Sequence, residues 1–208
     1  MGKPKIRIYS DYESPYAYLV KDLVYEIGKE SDATFGWLPY TLEIPSYSGD
    51  AKVNQDGNVI AEGRNAHQRR RVKYSYIDCF REANQRSRTI RGPKKVFDSS
   101  LANIGMLLVK RHGVFHNYHD KVFDLFCKRE LNIANEAVLG KLLTTCGAPE
   151  EAFPAFTITD GQTELLEVQR EAEERGVFGV PSFLFEDGEL YWGLEHLTRI
   201  REILEHKN

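Results

Sequence analysis

The chain has 208 residues, of which 41% are apolar and 12% aromatic, which suits one large domain or a small one with an insertion and excludes disorder. A net charge of −3 gives no global attraction to nucleic acid or to an anionic membrane. No apolar run approaches the roughly 20 residues that a membrane span needs. The first strand begins almost at the N-terminus, so no signal peptide is visible and a cytoplasmic protein is expected. Cys79, Cys127 and Cys146 lie far apart, outside any C-x-x-C pair, and are expected as reduced, buried thiols.

Ile6 to Asp11 alternates apolar and polar residues, as a half-buried strand does. Leu19, Val20, Leu23, Val24 and Ile27 then recur at helical spacing, with Lys21, Asp22 and Glu26 on the opposite face. The seam between the two is Ser14-Pro15-Tyr16-Ala17. Serine is a good N-cap and proline suits the first helical position, so capping alone accounts for the pair. The same junction aims backbone N–H groups and a helix dipole at whatever lies before it, so the Ser14 hydroxyl is also placed to hold an anion or a thiolate.

Ala33 to Leu38 reads as a second strand ending at Pro39, and Ser46 to Gly63 as a long polar surface loop. From Arg64 the pattern is helical for about a hundred residues, with boundaries at Arg91-Gly92-Pro93, His112-Gly113 and Cys146-Gly147-Ala148-Pro149. Thr163 to Arg175 is a further helix with Leu165, Leu166, Val168, Gln169 and Ala172 on one packed face. Ser182 to Trp192 reads as a hairpin turning at Asp187-Gly188, and Leu197, Ile200, Ile203 and Leu204 form the stripe of a last helix. The order strand-helix-strand, helical insert, helix-strand-strand-helix predicts an α/β protein, a thioredoxin fold with an inserted all-helical domain. The boundaries predicted are 1–62 and 163–208 for the discontinuous thioredoxin-like domain and 63–162 for the insert. Val180-Pro181 precedes the hairpin; with a cis bond there, the Val180 backbone would face outward to pair with an extended ligand.

The segments Asp11 to Leu19, Gly176 to Phe183 and Gly188 to Leu197 resemble the 2-hydroxychromene-2-carboxylate isomerase and kappa-class glutathione transferase family, within the Dsb-type branch of thioredoxin folds. Tyr74-x-x-x-Asp78-x-x-Arg81-x-Ala83 is similar to that family's first inserted helix. The resemblance implies a glutathione site, with glutathione as cofactor and an electrophilic small molecule, such as an aromatic carboxylate, as second partner. It implies that Ser14 is catalytic and hydrogen-bonds the glutathione sulfur, and that Val180 and Pro181 pair with its cysteinyl part. Leu194 would offer its N–H to the γ-glutamyl carboxylate, and Glu195 would contact the γ-glutamyl amine. The family implies a homodimer as well.

Glu195-His196 stands where family isomerases carry Asp-Arg. Ser14 and Ala17 occupy the two redox-cysteine positions of the related oxidoreductases, so neither supplies the thiolate that disulfide exchange requires. The expected activity is a glutathione-dependent isomerase or transferase; the alternative is a non-catalytic glutathione- or peptide-binding protein of the same superfamily.

The basic run between Arg64 and Lys95 reads as a solvated helix face or as an electropositive wall for glutathione or a carboxylate. Its arginines spread over every helical angle, so no nucleic-acid face is expected. His112, His116, His119 and Asp120 sit at spacings that suit a metal, but His112 caps a different helix, so surface histidines and no metal are expected.

Overall fold

The computed structural model describes residues 3–54 and 58–207. The first half comprises β1 (Lys5–Ser10), α1 (Pro15–Glu30), β2 (Thr34–Pro39), α2 (Ile44–Ser48), β3 (Ala51–Val53) and β4 (Val59–Glu62). Six helices follow: α3 (Ala66–Gln85), α4 (Ser100–Arg111), α5 (Phe115–Cys127), α6 (Glu136–Thr145), α7 (Ala152–Ile158) and α8 (Gly161–Glu174). The chain closes with β5 (Ser182–Phe185), β6 (Leu190–Trp192), a 3-10 turn at Leu194–His196 and α9 (Leu197–Lys207).

The main sheet has the order β2-β1-β5-β6, with β1 parallel to β2 and antiparallel to β5. Ile8 pairs with Trp37 on one side and Phe183 on the other. The two-residue period of the strands divides them between two cores. Ile6, Ile8, Trp37, Phe183 and Phe185 pack with Val20, Val24 and Ile27 of α1 and Ile200 and Leu204 of α9. Tyr9 and Leu184 face the other way, into a larger core with α4 to α8. This is a thioredoxin fold carrying inserted helices, as the order of elements predicts. The Asp187-Gly188 turn, with Gly188 at φ 91, joins β5 to β6 as expected.

Four expectations need correction. Lys21 is not on a solvated face: it is 2% exposed, and its Nζ lies 2.8 Å from Asp22 and 2.7 Å from Asp120 of α5. Helix α5 covers the polar flank of α1, so the lysine is buried between helices with its charge matched. The polar stretch 46–63 is not all loop, since α2 ends within it and β3 and β4 form an antiparallel hairpin. All four residues of β4 are exposed, and although Ala51 of β3 is buried, no apolar alternation reveals the hairpin. Asp56-Gly57 of that stretch lies outside the described residues. The helical run is broken over 86–99, where α3 has ended well before Gly92-Pro93. Finally, Leu166 is exposed rather than packed, while Leu165 and Ala172 of α8 are buried.

Candidate functional site

The site lies at the end of the sheet where β1 stops and β5 starts. Tyr9 pairs with Ser182, so the segment that follows β1 and the segment that precedes β5 emerge side by side. Ser14, Val180, Pro181, Leu194 and Glu195 therefore all line one groove of about 1600 Å³. The opposite wall comes from α2, the β3–β4 hairpin, α3 and the irregular 92–96 segment.

Ser14 is extended (φ −88, ψ 114), and its Oγ accepts a hydrogen bond from the Ala17 N–H at 3.2 Å. The N-cap role is thus filled. A hydroxyl has one donor and two acceptor lone pairs, so capping consumes a lone pair and leaves the O–H to give to an anion in the groove. Both readings of Ser14 are compatible. Pro15 follows at the first turn of a 16-residue helix with no acidic residue there to neutralise its dipole.

The Val180–Pro181 bond is cis. The Pro181 carbonyl accepts from the Gly193 N–H at 2.9 Å, tying β5 to the turn before α9. Among the described residues the Val180 N–H and carbonyl have no hydrogen-bond partner, so both are available to a peptide-like ligand. Gly193 sits at φ 104, and a Cβ there would meet the Glu195 carboxylate at 2.3 Å. The Glu195 side chain therefore folds back over Gly193, a close approach that only glycine allows. His196 Nδ1 contacts the Trp192 carbonyl at 2.7 Å.

Sequence reasoning passed over Glu13. It lines the groove directly before Ser14, yet is only 6% exposed. Its Oε1 accepts from the Phe97 N–H at 2.6 Å, and its Oε2 is buried without a partner. Burial pushes its carboxyl up to about 8, with the nearby acids Asp11 and Asp98 adding to the rise. Asp11, also raised by burial, fixes the turn: its two oxygens accept from the N–H groups of Glu13 and Leu42. The hydrogen bond that fixes its carboxyl comes from residue 97, far along the chain, and no local signal announces it. Sequence reasoning also passed over the aromatic rim made by Tyr74, Phe178 and Trp192, all exposed.

The basic run divides. Arg64, Arg69, Arg71, Lys73, Arg86 and Lys95 line the groove, whereas Arg70, Arg81, Arg91 and Lys94 do not. Arg88 is spent on Asp22 and Asp124. Among the described residues Arg71, Lys73 and Lys95 have no carboxylate partner, leaving cationic charge over the opening. Asp78 of the motif-bearing α3 accepts from the Tyr16 hydroxyl at 2.9 Å, which anchors that wall to α1.

The histidines do not assemble. His119 is buried rather than on the surface, stacked on Phe115 and 3.1 Å from the Tyr12 hydroxyl, and burial holds it well below its usual range. His112 caps α4 and is exposed. No group of three metal-ligating side chains occurs among the described residues. All three cysteines are free and buried, with Cys79 and Cys127 both pushed up to about 12 by burial. No helix among the described residues is long and apolar enough to cross a membrane.

Comparisons with known proteins agree with this architecture. The chain is 26% identical over 187 residues to the uncharacterized protein YwbO of Bacillus subtilis (strain 168), covering 88% of this chain and 86% of that one. It is similar to the solved structure of 2-hydroxychromene-2-carboxylate isomerase, with a TM-score of 0.74 at 20% identity over 97% of this chain and 95% of that one. It is similar as well to the cytosolic disulfide reductase DsbM of Pseudomonas aeruginosa, solved with GSH, with a TM-score of 0.65 at 15% identity over 98% of both chains. The DsbA-like thioredoxin domain matches residues 5–205, and the chain belongs to that family.

Proposed function

We propose that the groove binds glutathione and that Ser14 holds its sulfur as thiolate for attack on an electrophilic small molecule, as an isomerase or a transferase. The observation that carries this reading is the juxtaposition of a free Ser14 O–H, at a helix N-terminus, with the unpaired backbone of Val180. Glutathione fits the donor set. Its peptide-like middle matches the Val180 N–H and carbonyl, and its sulfur matches a hydroxyl donor backed by a helix dipole. Bound there, it supplies the nucleophile that the chain lacks, since Ser14 and Ala17 carry no thiol.

The residues divide the work. Ser14 donates to the sulfur and lowers its proton affinity. Val180 and Pro181 fix the cysteinyl part, the Leu194 N–H meets the γ-glutamyl carboxylate, and Glu195 meets the γ-glutamyl amine. Arg71, Lys73 and Lys95 draw in an anionic second substrate, and Phe178 and Trp192 give an aromatic one a surface. On this reading residues 1–62 and 163–208 hold glutathione while 63–162 supply much of the wall facing it. A homodimer and a cytoplasmic setting complete the proposal. The resemblance of the fold to 2-hydroxychromene-2-carboxylate isomerase and to a disulfide reductase solved with GSH supports it.

A second reading keeps the ligand and drops the chemistry. It is favoured by Glu195-His196 standing where family isomerases carry Asp-Arg, with the Glu195 carboxylate lying close over Gly193. One experiment separates the two. Glutathione at 100 times its dissociation constant stabilises the fold by about 2.7 kcal/mol under either reading. Ser14→Ala slows conjugation of model electrophiles about 10- to 100-fold under the first and leaves their rate unchanged under the second. No thermal shift with millimolar glutathione contradicts both.

A further inference from the structure

Glu13 has no role in the reading above, yet its geometry is unusual for a structural carboxyl. One oxygen is fixed by the Phe97 N–H at 2.6 Å. The other is buried with no partner at all, in a side chain that is 6% exposed and lines the groove. A polar atom left unpaired in the interior costs free energy that a bound ligand can return by supplying the missing partner.

We propose that Glu13 is the acid of the site, donating a proton through Oε2 to an oxygen of the second substrate that is conjugated with the carbon under attack. This rests on the glutathione reading of the groove and narrows the second substrate to an electrophile bearing such an oxygen. Phe97 holds Oε1 as an acceptor, so the proton resides on Oε2, the atom without a partner. As the C–S bond forms, the alkene electron pair moves onto the conjugated oxygen, and Glu13 gives its proton to that oxygen. Glu13 regains a proton from water, replacing the one lost when the thiol ionised. The resulting enol takes a proton on carbon and releases the one on oxygen, so the net change is addition of a thiol across the double bond.

The surroundings keep Glu13 protonated at neutral pH. The groups acting on it are Asp11 from its own turn and Asp98 from the 97–99 segment, both acidic. Tyr47 of α2 and Tyr76 of α3 face it across the groove, and burial raises both hydroxyls, Tyr76 to about 12. The cations on that side, Arg71 and Arg64, act on those tyrosines. Lys95 stands over the Phe97 ring at 5.0 Å.

The test compares two electrophiles with wild type and Glu13→Gln, which keeps the acceptor for Phe97 and loses the acid. For a simple enone, kcat/KM of wild type falls as pH rises through about 8, while Glu13→Gln is about 100-fold slower at neutral pH and lacks that alkaline fall. For an alkyl iodide, which has no oxygen to protonate, the two proteins agree within about twofold, and their thermal shifts with glutathione are equal. An infrared difference spectrum of wild type, which needs no variant, shows the Glu13 acid band shifting on enone binding. The inference is overturned if Glu13→Gln matches wild type on the enone, if both electrophiles slow equally, or if the acid band stays put. It is overturned as well if wild type alkylates glutathione with the iodide but not with the enone. Should Glu13→Gln be silent while Ser14→Ala is impaired, the glutathione reading stands and only the role of Glu13 is lost.

Discussion

Ser14 answers two demands with one hydroxyl. Its acceptor side caps α1 through Ala17, and its donor side is free in the groove. Ser14→Ala should therefore lower stability by about 1 kcal/mol, read from the urea midpoint. It should also raise the pKa of bound glutathione, slowing conjugation about 10- to 100-fold if a charge-assisted hydrogen bond of roughly 1.5–3 kcal/mol is lost. Glu13 makes the opposite kind of demand. Its carboxyl rises from 4.5 unfolded to about 8 folded, so the folded state holds the proton more tightly. The stability this gives is complete below about pH 4.5 and is lost as pH climbs through 8. Unfolding curves taken across that window should show wild type weakening with rising pH and Glu13→Gln weakening less. The capping role of Ser14 was legible because a cap is made by neighbours in sequence. The burial of Glu13 was not, because Phe97 closes over it from 84 positions away.

Elements built from period and turn chemistry were equally legible. Helix α1 and the α9 stripe show their buried face in the spacing of apolar residues, and the Asp187-Gly188 turn marks the β5–β6 hairpin. The β3–β4 hairpin was not, because an exposed strand such as β4 needs no apolar alternation, although Val59-Ile60 beyond a turn-forming tract hinted at one. Lys21 failed for a related reason: a lysine reads as solvated unless its partners are known, and one of them, Asp120, lies on α5. Lys21→Met should cost about 1–3 kcal/mol, since it removes the cation that ties α1 to Asp120, while water still reaches both acids. A smaller loss, under about 0.5 kcal/mol by denaturation, would show that packing rather than charge joins these helices. At the other end of the site, Gly193→Ala should weaken glutathione binding without abolishing folding. The positive φ and the Glu195 carboxylate both oppose a Cβ there. Calorimetric titration measures the loss, and unchanged affinity would remove Glu195 and its turn from the binding site.

At the scale of the molecule, the sheet brings two distant segments to one end and the inserted helices face them across the groove. The thioredoxin frame was legible from the order of elements, because two separated βα-type halves leave few ways to complete a sheet. The composition of the facing wall was not, since the arginines of the run between Arg64 and Lys95 point several ways and only some reach the groove. What this frame does for chemistry is set a hydroxyl and a helix N-terminus beside an unpaired stretch of backbone, in a chain whose own thiols are all buried. The most direct test is the ultraviolet thiolate absorbance of glutathione titrated into the protein at neutral pH. The account predicts a thiolate signal that saturates with binding in wild type and disappears in Ser14→Ala, although glutathione still raises the melting temperature of both. A bound glutathione without thiolate signal, or a signal indifferent to Ser14→Ala, would contradict it.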